Sequence, residues 1–238
     1  MKADSTLALK FLDAGAVGPY SGFRWPKPRG SRPGKWVRVG GDLDMCKRGI
    51  HACTFVQATR WLREECYVIE LRDVVSDDGE KLLARSGRLV RRVDGWDQQA
   101  MVRFAADCAA QVLPIFEKKY PKDDRPRKAV QAAWRWAKEP TEKNASAYAA
   151  AYAAYAASSA AAPTSYAAYA ASSTSYAASS ASSAASSASS AASSASSAAD
   201  AAAYAAYAAY AAYAAYAKER AWQARRLRHY IKAPEVRT

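Results

Sequence analysis

The sequence predicts an α+β protein in two parts: a small mixed α/β N-terminal domain, then an Ala/Tyr/Ser-rich helical bundle. Three observations carry this. Residues 66–72, Cys-Tyr-Val-Ile-Glu-Leu-Arg, are rich in strand formers. From Asp97 the apolar positions change to helical spacing, with Met101, Phe104, Ala105, Cys108, Val112, Ile115 and Phe116 on one face. From Asn144 to Ala217 the chain uses only Ala, Ser, Tyr, Thr, Asn, Pro and Asp. A stretch without one branched aliphatic side chain builds no ordinary oily core, yet Ala is the best helix former. We therefore expect an α/β domain over 1–95, bridging helices over 96–140, and an Ala/Ser/Tyr-rich bundle over 141–238 that ends in a basic amphipathic helix.

Each element has a local cause. Glycines and prolines from Gly15 to Gly34 make the opening third a series of turns around the aromatic cluster Tyr20, Phe23 and Trp25. Lys35–Val39 is a short strand candidate. Phe55–Glu64 places Phe55, Ala58, Trp61 and Leu62 on one side of a short helix. Asp77-Asp-Gly79 separates strand 66–72 from a second strand, Lys81–Val93, in which Gly87 reads as a bulge or turn. Pro114 implies a kink in the first long helix. Arg127–Lys138 is the second, with Val130, Ala133, Trp134 and Ala137 inward. Pro140 stops it, and Thr141 is the N-cap of a third helix, since its hydroxyl can accept from an orphan amide.

The repeats then dominate. Ala178, Ala181, Ala185, Ala188, Ala192, Ala195 and Ala199 alternate steps of three and four, a heptad seam of alanine. Such a seam buries little area but lets helices approach closely. Tyr204, Tyr207, Tyr210, Tyr213 and Tyr216 step strictly by three, so their rings spiral around the helix and suit contact on several sides. We expect them as core filler, with self-association through the Ala-rich helices. Trp222, Leu227, Tyr230 and Ile231 anchor the terminal helix.

Charge and cysteine content exclude several classes. The chain has a formal net charge of +13, with 28 of its 35 Lys+Arg and 19 of its 22 Asp+Glu before Asn144, and none of either from Asn144 to Ala199. The basic excess is spread, not gathered in one patch, so it argues only weakly for polyanions. Four cysteines are too few for a disulfide scaffold at this length, the first residues lack an apolar leader, and no strongly apolar run of membrane-spanning length occurs. We expect a cytoplasmic protein that does not enter membranes.

Two segments resemble known families. Pro19-Tyr-Ser-Gly-Phe-Arg-Trp25, Cys46-Lys-Arg-Gly-Ile-His-Ala-Cys53 and Arg88-Leu-Val-Arg-Arg-Val93 are similar to an uncharacterised α/β domain of actinobacterial and bacteriophage proteins. Phe116–Val130, Trp134-Arg-Trp136 and the terminal Trp222-Gln-x-x-Arg-Leu227, set among Ala-rich helices, resemble a family of putative immunity proteins. The second resemblance implies a protein that binds and neutralises a partner. Neither family carries an established catalytic set, so no residue role is transferred.

The sharper chemical readings are weighed against plain packing. Cys46, His51 and Cys53, with Cys66 as a fourth, could supply zinc ligands, but the spacing matches no common module and free cysteines are often simply buried. Cys53 or Cys46 with His51 could form a nucleophile pair, yet nothing marks an orienting residue or an oxyanion hole. Tyr20, Arg24 and Glu70 could serve a nucleotide-dependent transferase, although no phosphate-cradling glycine loop is present. Arg225, Arg226 and Arg228 beside the tyrosine ladder could meet nucleic acid or a nucleotide. We expect instead a non-enzymatic binding protein with no metal and no cofactor. Its immunity-like or phage–host contacts would lie at Tyr20, Phe23, Arg24 and Trp25, and at Trp222, Arg225, Arg226 and Arg228.

Overall fold

The computed structural model describes residues 5–141, 143–144 and 213–236. They form an α+β protein whose N-terminal part is rich in sheet. The chain divides into two compact units, Met1–Trp96 with Leu227–Thr238, and Asp97–Arg226.

The N-terminal unit contains β1 (Ser5–Leu12), β2 (Val37–Arg38), β3 (Ile50–Ala52), α1 (Phe55–Ala58), β4 (Glu65–Asp77) and β5 (Leu82–Arg92). All pairings are antiparallel, in the order β1-β4-β5-β2, with β3 also on β5. One edge of β5 thus serves two short strands: Leu82–Ala84 pair with β3, and Ser86 and Gly87 with β2. Leu9 and Cys53 exchange backbone hydrogen bonds of 2.8 and 2.9 Å, which returns the end of β3 to β1 and closes the ring β1-β4-β5-β3. Closure removes strand edges that would otherwise invite pairing with another chain. Ala8, Leu12, Trp25, Ile50, Tyr67, Ile69, Leu71 and Leu89 share one buried cluster.

Several elements differ from the expectations of sequence. Ser5–Leu12, for which the local pattern predicts no element, is a strand buried on both sides from Ala8 onward, so it shows no clean polar alternation. The 66–72 strand extends to Glu65–Asp77. Gly87 is not the irregularity in β5. It pairs directly with Leu71, and the register shifts fall at Val68/Ile69 and Val74/Ser76. A Cβ on Gly87 would lie 3.1–3.3 Å from the side-chain ends of Ile69, Ile50 and Leu71, so any larger residue there would have to push them aside by a few tenths of an ångström. Helix α1 is a single turn closed by a Thr54/Gln57 capping box. Arg60 and Trp61 then bond three residues back, to Gln57 and Ala58, which tightens and ends it before Glu64.

Residues 227–236 belong to this unit. Leu227, Ile231, Ala233 and Val236 are buried. Arg91 pairs with Glu235 at 2.6 Å and donates to the Lys232 carbonyl at 2.8 Å. The Arg228 guanidinium lies 4.4 Å from the Phe55 ring and donates to the Val236 carbonyl.

The other unit holds α2 (Gln98–Lys119), α3 (Arg125–Lys138) and residues up to Arg226 of α4 (Tyr213–Tyr230). Asp97 caps α2 by accepting from the Ala100 amide at 2.8 Å, and the helix continues through Pro114. Helix α2 packs on α3, with Met101, Phe104, Ala105 and Cys108 facing inward from α2 and Ala129, Val130, Ala133, Trp136 and Ala137 from α3. The indole buried on α3 is Trp136; Trp134 is 38% exposed, opposite to the expected arrangement. Thr141 Oγ1 accepts from the Asn144 amide at 3.3 Å, the bond expected of an N-cap. The alanine seam from Ala178 to Ala199 and the tyrosines from Tyr148 to Tyr210 lie outside the described residues, as do the side chains of Tyr213 and Tyr216.

Candidate functional site

The first candidate surface grows from the β1–β2 connection. Glu65 anchors its start, with Oε2 accepting from the Ala16 amide at 2.8 Å and from the Tyr67 hydroxyl at 3.0 Å. Two backbone bonds, Gly18 N to Phe23 O and Gly22 N to Gly18 O, both 2.9 Å, then close a tight turn that Gly22 completes at φ +65°. The turn lifts Tyr20 and Phe23 into solvent at 79% and 43% exposure, with Arg24 exposed beside them. Trp25 departs from the expected exposed cluster. It is buried at 7%, its ring edge-on to Phe23 at 5.6 Å and 4.9 Å from Lys10 Nζ. Its indole is too large to leave in water once Leu12 and Ile50 line the space below it. Arg63 steadies Tyr20 through a 3.1 Å bond to its hydroxyl.

The cysteine–histidine segment is not assembled into one centre. His51 Nε2 accepts from the Cys46 amide at 3.2 Å, Cys46 Sγ accepts from Lys81 Nζ at 2.8 Å, and the Cys53 thiol donates to the Leu9 carbonyl at 3.5 Å. Among the described residues no group of three or more His, Cys, Asp or Glu side chains is placed to hold a metal ion. Burial pushes the Cys53 thiol up to about 12, against the pull of Lys10, and pushes Cys66 and Cys108 well above the ordinary thiol value. Such thiols are poor nucleophiles. Burial, followed by the charges of Lys10 and Lys81, lowers His51.

Lys10, absent from the candidates drawn from sequence, is the most perturbed cation in the unit. Burial lowers its ammonium from 10.5 to about 8, partly offset by Cys53, and Nζ donates to the His51 carbonyl at 2.6 Å. Its signal was a lone lysine inside Leu7–Leu12. Glu70, a candidate alongside Tyr20 and Arg24, instead pairs with Arg88 at 2.7 Å and faces Arg72 at 4.0 Å.

In the helical unit, Asp107 joins α2 to α3 and α4, and a second, buried polar cluster lies within α4. Asp107 accepts from Trp134 Nε1 at 2.9 Å and from Arg226 Nε at 2.6 Å. Gln223 donates to Glu219 at 3.0 Å and accepts from Arg220 at 3.3 Å. Burial raises the Glu219 carboxyl, opposed by Gln223 and Arg220. Gln223 and Arg226 are members of the terminal Trp-Gln-x-x-Arg-Leu pattern, and both point inward to structural partners. Arg228 is likewise held, while Arg225 is exposed and Trp222 half-buried. Of the expected contacts, the solvent-facing ones are therefore Tyr20, Phe23, Arg24 and Arg225.

No helix among the described residues is long and apolar enough to cross a membrane. Nothing matches the chain among curated proteins or among solved structures. A family model described as Imm-5 like putative immunity protein matches residues 92–230, more than half of the chain, so the chain belongs to that immunity family.

Proposed function

We propose that this protein acts by binding and neutralising a protein partner, without catalysing a reaction. The family match over residues 92–230 carries the reading, because an immunity protein works through a partner. The arrangement of polar groups supports it. Asp107, Gln223 and Arg226 are spent on internal bonds, which suits a rigid binding scaffold. The contacts would come from Tyr20, Phe23 and Arg24 on the turn of the N-terminal unit, and from Trp222 and Arg225 on α4. Tyr, Trp and Arg are the residue types that concentrate binding energy at interfaces.

The test is native mass spectrometry of the intact chain purified from its own host, followed by co-expression with the partner so identified. We expect a stoichiometric protein complex and restored growth of cells that the partner alone inhibits. A chain that purifies alone, or a partner that is harmless to cells, overturns the reading.

A further inference from the structure

The outer face of the sheet carries a cationic surface, set by strand register. One row of cross-strand neighbours runs Ser5, Arg72, Ser86, Arg38 across β1, β4, β5 and β2. The adjacent row runs Leu7, Glu70 and Arg88, with Trp36 beside Arg88, just before β2. Residues directly opposite in antiparallel strands share a face, so three guanidiniums, one carboxylate and one indole are gathered on and beside the three neighbouring strands β4, β5 and β2. Farther along the same strands the face is closed, since Leu9 and Val68 are fully buried. The two rows are the open part. Arg38 is exposed, and the Arg72 and Arg88 side chains retain 42% and 30% of their exposure.

The arrangement is held in place. The Arg72 and Arg88 guanidiniums lie 4.2 and 4.8 Å from the Trp36 ring centre, and Glu70 pairs with Arg88 at 2.7 Å. Arg72 Nε is buried with no hydrogen-bond partner, and Arg72 reaches Glu70 only at 4.0 Å. One carboxylate thus serves two guanidiniums and leaves Arg38 without a carboxylate opposite it in the register. The surface has positive charge to spare and side chains already oriented, the condition under which bidentate carboxylate recognition is strongest.

We infer that this Trp36–Arg38–Arg72–Arg88 face is the docking surface for an acidic segment of the protein partner, its Asp or Glu carboxylates meeting the guanidiniums. The inference rests on the partner-binding reading above. Single-stranded nucleic acid fits less well, because it needs successive free rings for base stacking, and the one ring here is already engaged by two cations.

The test uses fluorescence anisotropy with a labelled Glu-rich peptide and, separately, a labelled oligothymidylate, on the full chain. We expect salt-sensitive binding of the peptide and its weakening by about tenfold in Arg72→Ala/Arg88→Ala. Arg38→Glu, at an exposed position outside the Glu70 pairing, should weaken it comparably while leaving the melting temperature unchanged. Lys128→Ala, at an exposed position on α3, should have no effect. Peptide binding that survives Arg38→Glu, absence of peptide binding, or a preference for the oligothymidylate each overturns the surface. Native mass spectrometry of the host complex reads the partner separately, so an intact complex with no peptide binding discards this surface and keeps the immunity reading.

Discussion

Arg91 and Glu235 meet at 2.6 Å although 144 residues of sequence separate them. The contact stitches the last described residues to β5, but the ion pair is not what holds them. Both side chains keep about a third of their exposure, 38% and 31%, and such pairs are worth roughly 1 kcal/mol or less. Ile231 is 1% exposed. Ile231→Ala should therefore cost about 2–5 kcal/mol in urea unfolding, and Glu235→Gln about 1 kcal/mol at most. Equal effects would show that charge, not apolar burial, fixes the tail.

Lys10 gives the N-terminal unit a pH signature. The folded state releases this proton near 8, the unfolded chain near 10.5. Between those values the unfolded state binds more protons, so wild-type stability rises with pH. Lys10→Met removes the ionisation. Its stability advantage over the wild type should shrink by on the order of 2–3 kcal/mol across that window. Cys53, shifted from 9.0 to about 12, acts in the opposite sense above pH 9 but is present in both proteins. A difference between the two melting curves that is constant with pH refutes the assignment.

Asp107 accepts from both Trp134 and Arg226. Asp107→Ala withdraws the acceptor from a guanidinium and an indole at once, but both are 38% exposed and can turn to water, so the cost should be about 1–3 kcal/mol. In a double-mutant cycle with Arg226→Ala, the coupling should exceed about 1 kcal/mol. Additive losses would mean that the two residues do not act as a pair.

Gly87→Ala tests the packing under β5. With Ile69, Ile50 and Leu71 all 3.1–3.3 Å from the new Cβ, the change should cost about 1–3 kcal/mol by thermal unfolding. Combining it with Ile69→Val should recover part of the loss. No recovery would place the strain in the backbone.

What the sequence made legible was whatever has a strong local period. The β4 strand and helices α2 and α3 announce themselves through runs of β-formers and through apolar steps of three and four. Strand β1 did not, because Ala8 and Leu12 face one cluster while Leu9 and Phe11 are buried outside it, and Lys10 interrupts the run. Gly87 looked like a break because the role of a glycine squeezed by Ile69 and Ile50 is set by residues distant in sequence. Trp134 and Trp136, two apart on α3, could not be ranked without the position of Asp107. The outer-face arginines share the difficulty: Arg38, Arg72 and Arg88 become neighbours only through strand pairing.

The tail on β5 also sets a timetable. A ribosome adds residues at ~5–20 per second, so the roughly 130 residues from Asp97 to Arg226 must be made after Trp96 before Leu227 exists. For on the order of ten seconds Arg91 on β5 has neither Glu235 nor the Lys232 carbonyl to bind, and Phe55 waits for Arg228. The first unit to be translated is thus the last to be completed, and the Ala-rich segment is synthesised while Arg91 and Phe55 still lack their partners from the tail.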